Sequence, residues 1–179
     1  MAIETQQFDL VVVGAGPGGY VAAIRGAQLG MNVAIVEAQH MGGVCLNWGC
    51  IPTKSLLKSA EVYQSIQHAG DYGISVSDAG FDIKKIVKRS RDIAERLSGG
   101  INFLMKKNNI TVINGWGKLD KANLLAVSVD NKTVTKLSAP HIIFATGASP
   151  RLIPGLEPDG KIVWTAKEVG NTSVAATSS

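Results

Sequence analysis

Two hydrophobic rhythms alternate along the chain. Phe8 to Val13 is a nearly continuous apolar run rich in β-branched residues, the pattern of a parallel strand buried on both faces. The turn Gly14-Ala15-Gly16-Pro17-Gly18-Gly19 follows it. Val21, Ala22, Ile24 and Leu29 then recur at helical spacing, with Arg25 among them, and Gly30 is placed to close that helix as a left-handed cap. Val33 to Val36 reads as a second buried strand, closed by Glu37. Strand, helix and strand within about 30 residues is the right-handed crossover of a doubly wound sheet.

Further on, a helix is predicted to begin near Pro52, whose missing N–H needs no partner in a first turn. It runs through Leu56, Leu57, Ala60, Tyr63 and Ile66 towards Gly70. A long amphipathic helix places Ile83, Ile86, Val87, Ala94, Leu97, Ile101 and Leu104 on one stripe. Gly99-Gly100 interrupts that stripe at a cost in helix propensity, so another backbone is expected to come close there. Ile110 to Ile113 reads as a strand. Leu124 to Val129 and Thr133 to Leu137 read as a hairpin turning at Asp130-Asn131-Lys132. Ile142 to Ala145 is a last buried strand, ending in Thr146-Gly147-Ala148. The expected fold class is α/β, with a parallel sheet, flanking helices and a small hairpin or meander.

Composition narrows this picture without changing it. The 179 residues leave room for one domain with a real core. With 45% hydrophobic and 18% charged residues the chain reads as globular rather than disordered. No apolar run approaches the roughly 18 residues needed to cross a bilayer, so no membrane is expected. The first residues, Met1 to Gln7, are polar and carry no basic side chain, so neither a secretory nor an Arg-rich transit segment is visible and the cytoplasm is the expected compartment. There, a disulfide is more often catalytic than structural. The net charge of +4 raises the question of nucleic acid. However, the main basic cluster, Lys84 to Arg91, is interleaved with apolar helix positions and reads as a solvated face. No aromatic side chains accompany it to stack bases, so no nucleic-acid partner is expected.

The chemistry concentrates in two motifs. Gly14, Gly16 and Gly19, with Gly18 between them, form Gly-x-Gly-x-x-Gly between a strand and a helix, and Glu37 closes the next strand. Gly14 permits the tight turn, Gly16 lets the backbone approach a pyrophosphate, and Gly19 lets the helix pack close to the strand. The helix N-terminus offers unpaired N–H groups and a positive dipole end to phosphates. A carboxylate at Glu37 can hold both hydroxyls of a ribose and would repel a 2′-phosphate. A dinucleotide is therefore expected, and these residues do not distinguish FAD from NAD.

Cys45 and Cys50, the chain's only cysteines, follow at once. His40, His68 and His141 form no ligand-like pair with them, and two thiolates do not close a zinc site, so no metal is expected. Inert core thiols are one reading, and a redox disulfide is the other. Residues five apart on a regular helix are separated by about 7.5 Å along its axis, more than the roughly 4.4–6.8 Å between Cα atoms that a disulfide accepts. Bridging them needs an irregular turn, which Gly49 and Pro52 can supply. Cys50 would then precede a helix N-terminus, and Lys54 would add positive charge in the first turn, both favouring a thiolate. A dithiol beside a bound dinucleotide points to a flavin exchanging electrons with it.

Cys45-Leu46-Asn47-Trp48-Gly49-Cys50-Ile51-Pro52-Thr53-Lys54 resembles the active-site signature of the class I pyridine nucleotide–disulfide oxidoreductases. Among them it is most similar to the dihydrolipoamide dehydrogenases. The resemblance covers residues 8 to about 168 and implies a Rossmann-like FAD-binding domain over residues 1–168. It implies that Cys45 is the interchange thiol, that Cys50 is the charge-transfer thiol facing the isoalloxazine ring, and that Lys54 sits near flavin N5. Glu37 would bind the adenosine ribose, Gly117 would contact the adenine side through its backbone, and Thr146-Gly147 would pass near FAD. Gly42, Gly43 and Val44 would line the cofactor through their backbone. Val44 replaces the Thr often found there, which removes a side-chain hydrogen bond to the cofactor.

The family runs to more than twice this length. It adds an NAD domain, a segment completing the FAD domain, and a dimer-interface domain carrying a His–Glu acid–base pair. No His here is followed five residues later by Glu. Residues 169–179 read as an irregular tail, a truncated or frame-shifted end. The resemblance implies oxidation of protein-bound dihydrolipoyl groups on the lipoyl domains of 2-oxoacid dehydrogenase complexes, with NAD and a homodimer belonging to the full-length family. The fold is expected to be incomplete relative to the family, and this chain alone is expected not to turn over. The alternatives are a non-catalytic FAD-binding fragment, or a flavoprotein disulfide reductase of the glutathione- or mercuric-reductase kind.

Overall fold

The computed structural model describes residues 3–169. In chain order its strands are β1 (Thr5–Gln7), β2 (Leu10–Val13), β3 (Val33–Glu37), β4 (Thr111–Asn114), β5 (Trp116–Lys121), β6 (Leu124–Val129), β7 (Lys132–Ser138) and β8 (His141–Phe144). Its helices are α1 (Pro17–Gln28), α2 (Gly43–Asn47), α3 (Cys50–Gln67), α4 (Ile83–Lys107) and α5 (Ala166–Val169), with a 3-10 turn at Ala69–Tyr72. The described residues fall into two compact units. One takes those up to Cys45 together with Leu97–Ser149, and the other takes Leu46–Arg96 and those from Pro150 onward.

The first unit holds two sheets. One is parallel throughout, in the order β4-β3-β2-β8, with Val11 paired to Ala34 on one side and to Ile142 on the other. Two parallel neighbours plus a crossover helix explain why β2 is apolar without alternation: all four of its residues are buried. The other sheet runs β1-β7-β6-β5, an antiparallel meander of β5, β6 and β7 with β1 added in parallel to β7. Val11, Val13, Ala34 and Val36 meet Leu125, Val127 and Leu137 in one core. The β6–β7 hairpin turns at Asp130 and Asn131, both with positive φ, as a two-residue hairpin turn requires. In the second unit the first half of α4 lies with α3 and α5.

The α/β class, the strand–helix–strand unit and the hairpin are as the hydrophobic pattern predicts. Several details differ. The helix α1 buries Gly19, Ala23 and Gly26 rather than its large apolar residues, and Val21 and Leu29 are exposed. A Cβ on Gly26 would lie 2.7 Å from Leu10 Cδ2, so close approach, not side-chain bulk, sets this contact. Gly99-Gly100 does not interrupt α4, and a Cβ at either would meet nothing within 4 Å, so no other backbone comes close. The buried residues of α4 include Ser90 and Met105, while Leu97 is exposed.

The helix expected near Pro52 begins at Cys50, and a separate short helix, α2, precedes it. Strands β1 and β5 were not foreseen, because their residues are largely polar and exposed and become strands only through pairing. The expected tail at residues 169–179 lies outside the described residues from 170 onward. Among the described residues no helix is long and apolar enough to cross a membrane, and no group of three or more His, Cys, Asp or Glu could hold a metal ion.

Candidate dinucleotide and dithiol site

The carboxyl edge of the parallel sheet is where open α/β sheets hold ligands, and in the first unit the glycine loop, Glu37, Gly42 and Gly43 meet there. The loop from Gly14 to Gly19 leaves β2 and enters α1, with Gly16 as the cap residue and Pro17 as the first helical position. Gly14 has φ +97°, and a Cβ on it would lie 2.3 Å from the carbonyl oxygen of Ala145, the residue before Thr146. A Cβ on Gly19 would lie 1.8 Å from the Gly14 carbonyl oxygen. Both glycines are therefore required by the protein's own packing. Gly16 differs, since a Cβ there would meet nothing within 4 Å. The first turn of α1 has no side-chain cap, which leaves its N–H groups to an outside acceptor.

Glu37 ends β3 and binds this loop. One carboxylate oxygen accepts the Ala15 N–H at 2.7 Å, and the other accepts the Gln39 N–H at 2.7 Å. Glu37 thus holds the glycine loop in place, a role the sequence did not show. Each oxygen retains a second lone pair. Gly42 and Gly43 join the same cluster. The Gly42 N–H donates to the Ala15 carbonyl at 2.9 Å, and a Cβ on Gly43 would lie 2.7 Å from Gly16 Cα. The start of α2, which carries Val44 and Cys45, is therefore stitched to the glycine loop. Val44 itself is exposed.

Cys45 and Cys50 are joined by a disulfide. Cys45 is half-buried on α2 and Cys50 is exposed as the first residue of α3. The chain leaves the helical path at Trp48-Gly49, where Gly49 has φ −111° and ψ −107°. This is the irregular turn the spacing demands, supplied by Gly49 alone, because Pro52 is already buried inside the helix. Lys54 accordingly lies four residues into α3 and shares a helix face with Cys50. Both are exposed.

The remaining predicted residues are less concentrated. Thr146 and Gly147 are exposed just beyond β8. Gly117 is half-buried in β5, where a Cβ would lie 3.0 Å from Val13 Cγ1 and 3.2 Å from Leu125 Cδ2, so packing alone accounts for the glycine. Most of the basic cluster on α4 is a solvated face, with Lys84, Lys85, Lys88 and Arg89 exposed. Arg91 departs from it. It is half-buried and donates to the Asn47 carbonyl at 2.7 Å, at the end of α2. Burial pulls its guanidinium below the ordinary arginine value. Nearby, Arg89 donates to Ser55 Oγ at 2.8 Å. An arginine one position from a buried stripe is a sequence signal that could have found Arg91.

Residues 8–177 match the family described as pyridine nucleotide-disulphide oxidoreductase. The dihydrolipoyl dehydrogenase of Rhizobium etli is 49% identical over 175 residues, covering 89% of this chain and 36% of the relative. That of Zymomonas mobilis subsp. mobilis is 52% identical over 158 residues, covering 88% and 34%. That of Bacillus subtilis is 41% identical over 170 residues, covering 90% and 36%. The chain thus spans roughly a third of the length of these relatives. The crystal structure of LpdA from Mycobacterium tuberculosis superposes with a TM-score of 0.82 at 22% identity, over 94% of this chain and 38% of that one, which shows a shared fold. Since the family match extends from the first buried strand through all the described elements that follow it, the chain belongs to the pyridine nucleotide–disulphide oxidoreductases.

Proposed function

We propose that this chain is the FAD-binding, dithiol-bearing part of a dihydrolipoamide dehydrogenase. The observation that carries this reading is the Cys45–Cys50 disulfide, whose first cysteine lies on a helix entered directly from Gly42, itself hydrogen-bonded to the glycine loop. The cofactor fits the residues present. Of the loop's three motif glycines, only Gly16 lacks a protein neighbour that demands it, which leaves room beside it for a pyrophosphate. Gly14, Gly16, Gly18 and Gly19 would cradle the pyrophosphate. Glu37 would use its remaining lone pairs on the ribose hydroxyls, and Gly42, Gly43, Val44, Gly117, Thr146 and Gly147 would line the cofactor. FAD, when bound, would accept the electron pair from the reduced dithiol.

The protein's own chemistry is thiol–disulfide exchange. A dihydrolipoyl thiolate attacks Cys45 Sγ, forming a mixed disulfide and releasing Cys50 as a thiolate. The α3 N-terminus favours that anion, and Lys54 on the same face adds to the effect. The second lipoyl thiol, once deprotonated, then attacks its own mixed-disulfide sulfur. This closes the oxidised lipoyl ring and releases Cys45. Two electrons pass from substrate to the cysteine pair, and the substrate's two thiol protons are released or retained by the new thiols. Lipoyl domains of 2-oxoacid dehydrogenase complexes would be the partners, NAD the final acceptor and a homodimer the assembly of the longer proteins, in the cytoplasm.

Visible spectroscopy with FAD added tests this. Cys45→Ser should leave Cys50 as a thiolate with long-wavelength flavin absorbance, and Cys50→Ser should not. Identical spectra would mean the two roles are wrongly assigned. Reduction of the wild-type disulfide by dihydrolipoamide but not by glutathione separates this reading from a glutathione-reductase-like one. FAD binding without any disulfide reduction would leave only a non-catalytic binding fragment.

A further inference from the structure

We infer that Arg91 is a positioning residue for the dithiol–disulfide couple: its bond to the Asn47 carbonyl holds the link between the two cysteines in its closed shape when the disulfide is open. The inference rests on the redox reading above but not on the flavin. The residues from Leu46 to Gly49 are all that separates Cys45 from Cys50. Within them α2 ends at Asn47, and the last carbonyls of a helix look beyond it for donors. Arg91 Nη1 donates to the Asn47 carbonyl at 2.7 Å, putting a cation at the negative end of α2.

A helix of five residues does not persist in water without tertiary support. With the disulfide closed, the covalent loop supplies that support. With it open, the link is held by non-covalent bonds alone. Forming the Arg91 bond to an already closed loop incurs no ordering cost, whereas forming it to an open link does. The bond therefore favours closure, and by reciprocity closure favours the bond. The effect should equal the ordering entropy of about one backbone residue, or roughly tenfold in the thiol–disulfide equilibrium. Arg89 makes the comparison possible. It comes from the same helix and holds Ser55, which lies outside the loop closed by the cysteines.

The test equilibrates the full chain in dithiothreitol redox buffers and counts alkylated thiols by mass. Arg91→Met should shift the midpoint about tenfold towards the dithiol, some 30 mV in potential. Arg91→Lys, which keeps one donor and the charge, should recover most of the shift, and Arg89→Met should stay within about twofold of wild type. An Arg91→Met midpoint equal to wild type, or an equal shift in Arg89→Met, overturns the inference. Should Arg91→Met fail to fold, amide exchange in reduced wild-type protein decides. Leu46 to Gly49 staying protected after reduction supports the inference, and exchange at the unstructured rate overturns it. A wild-type disulfide that dithiothreitol cannot reversibly open would instead sink the redox reading itself.

Discussion

A Cβ on Gly19 would sit 1.8 Å from the Gly14 carbonyl oxygen, and one on Gly16 would touch nothing. The two glycines of one motif therefore answer to different demands, and mutation should separate them. Gly19→Ala should destabilise the fold by about 3 kcal/mol or prevent folding, because backbone must move to admit the methyl. Gly16→Val should keep a cooperative unfolding transition close to wild type while losing FAD, because its side chain fills the space assigned to the pyrophosphate. Thermal melts and flavin content check both. Normal flavin content in Gly16→Val would remove the case for the cradle. The sequence motif named all three glycines, yet spacing alone could not say which serves the protein and which serves a ligand. Glu37 repeats the lesson, since its hydrogen bond from the Ala15 N–H joins positions 22 apart and becomes visible only in the folded protein.

Among the elements, α4 departs furthest from its sequence reading. It runs unbroken from Ile83 to Lys107 through Gly99-Gly100, both exposed and without neighbours at the Cβ position. Each glycine lowers helix stability without a compensating contact, so Gly99→Ala and Gly100→Ala should each stabilise the chain by roughly 0.5–1 kcal/mol. Urea denaturation measures this, and a loss of stability would reveal a close neighbour at that position. The helix survives its glycines because Ser90, Ala94, Ile101 and Met105 are buried on one side and tertiary packing outweighs propensity. In α1 the same principle acts in reverse. Its buried face is made of small residues, which let the helix approach β2 and β3, so a search for large apolar residues picks the wrong side.

For the polypeptide of 179 residues, the expectation is thiol chemistry without full turnover. On the reading proposed above its Gly-x-Gly-x-x-Gly loop goes to FAD, so NAD-linked lipoamide dehydrogenase activity is expected to be undetectable even with FAD in excess. Dihydrolipoamide-dependent NAD⁺ reduction at an ordinary enzymatic rate would overturn this. What could be read from the sequence was local: the strand–loop–helix–strand unit, the hairpin at Asp130-Asn131 and the cysteine spacing that demands an irregular turn. Each depends on residues close in the chain, whose allowed dihedrals and hydrophobic period leave few alternatives. What required tertiary structure was every feature made by distant segments. Polar β1 is a strand only because Thr5–Gln7 pairs with Lys136–Ser138, α4 is continuous only because its buried side is packed, and Arg91 stands out from a basic cluster only because α4 brings it to Asn47. Such contacts depend on which surfaces meet, and sequence periodicity carries no information about that.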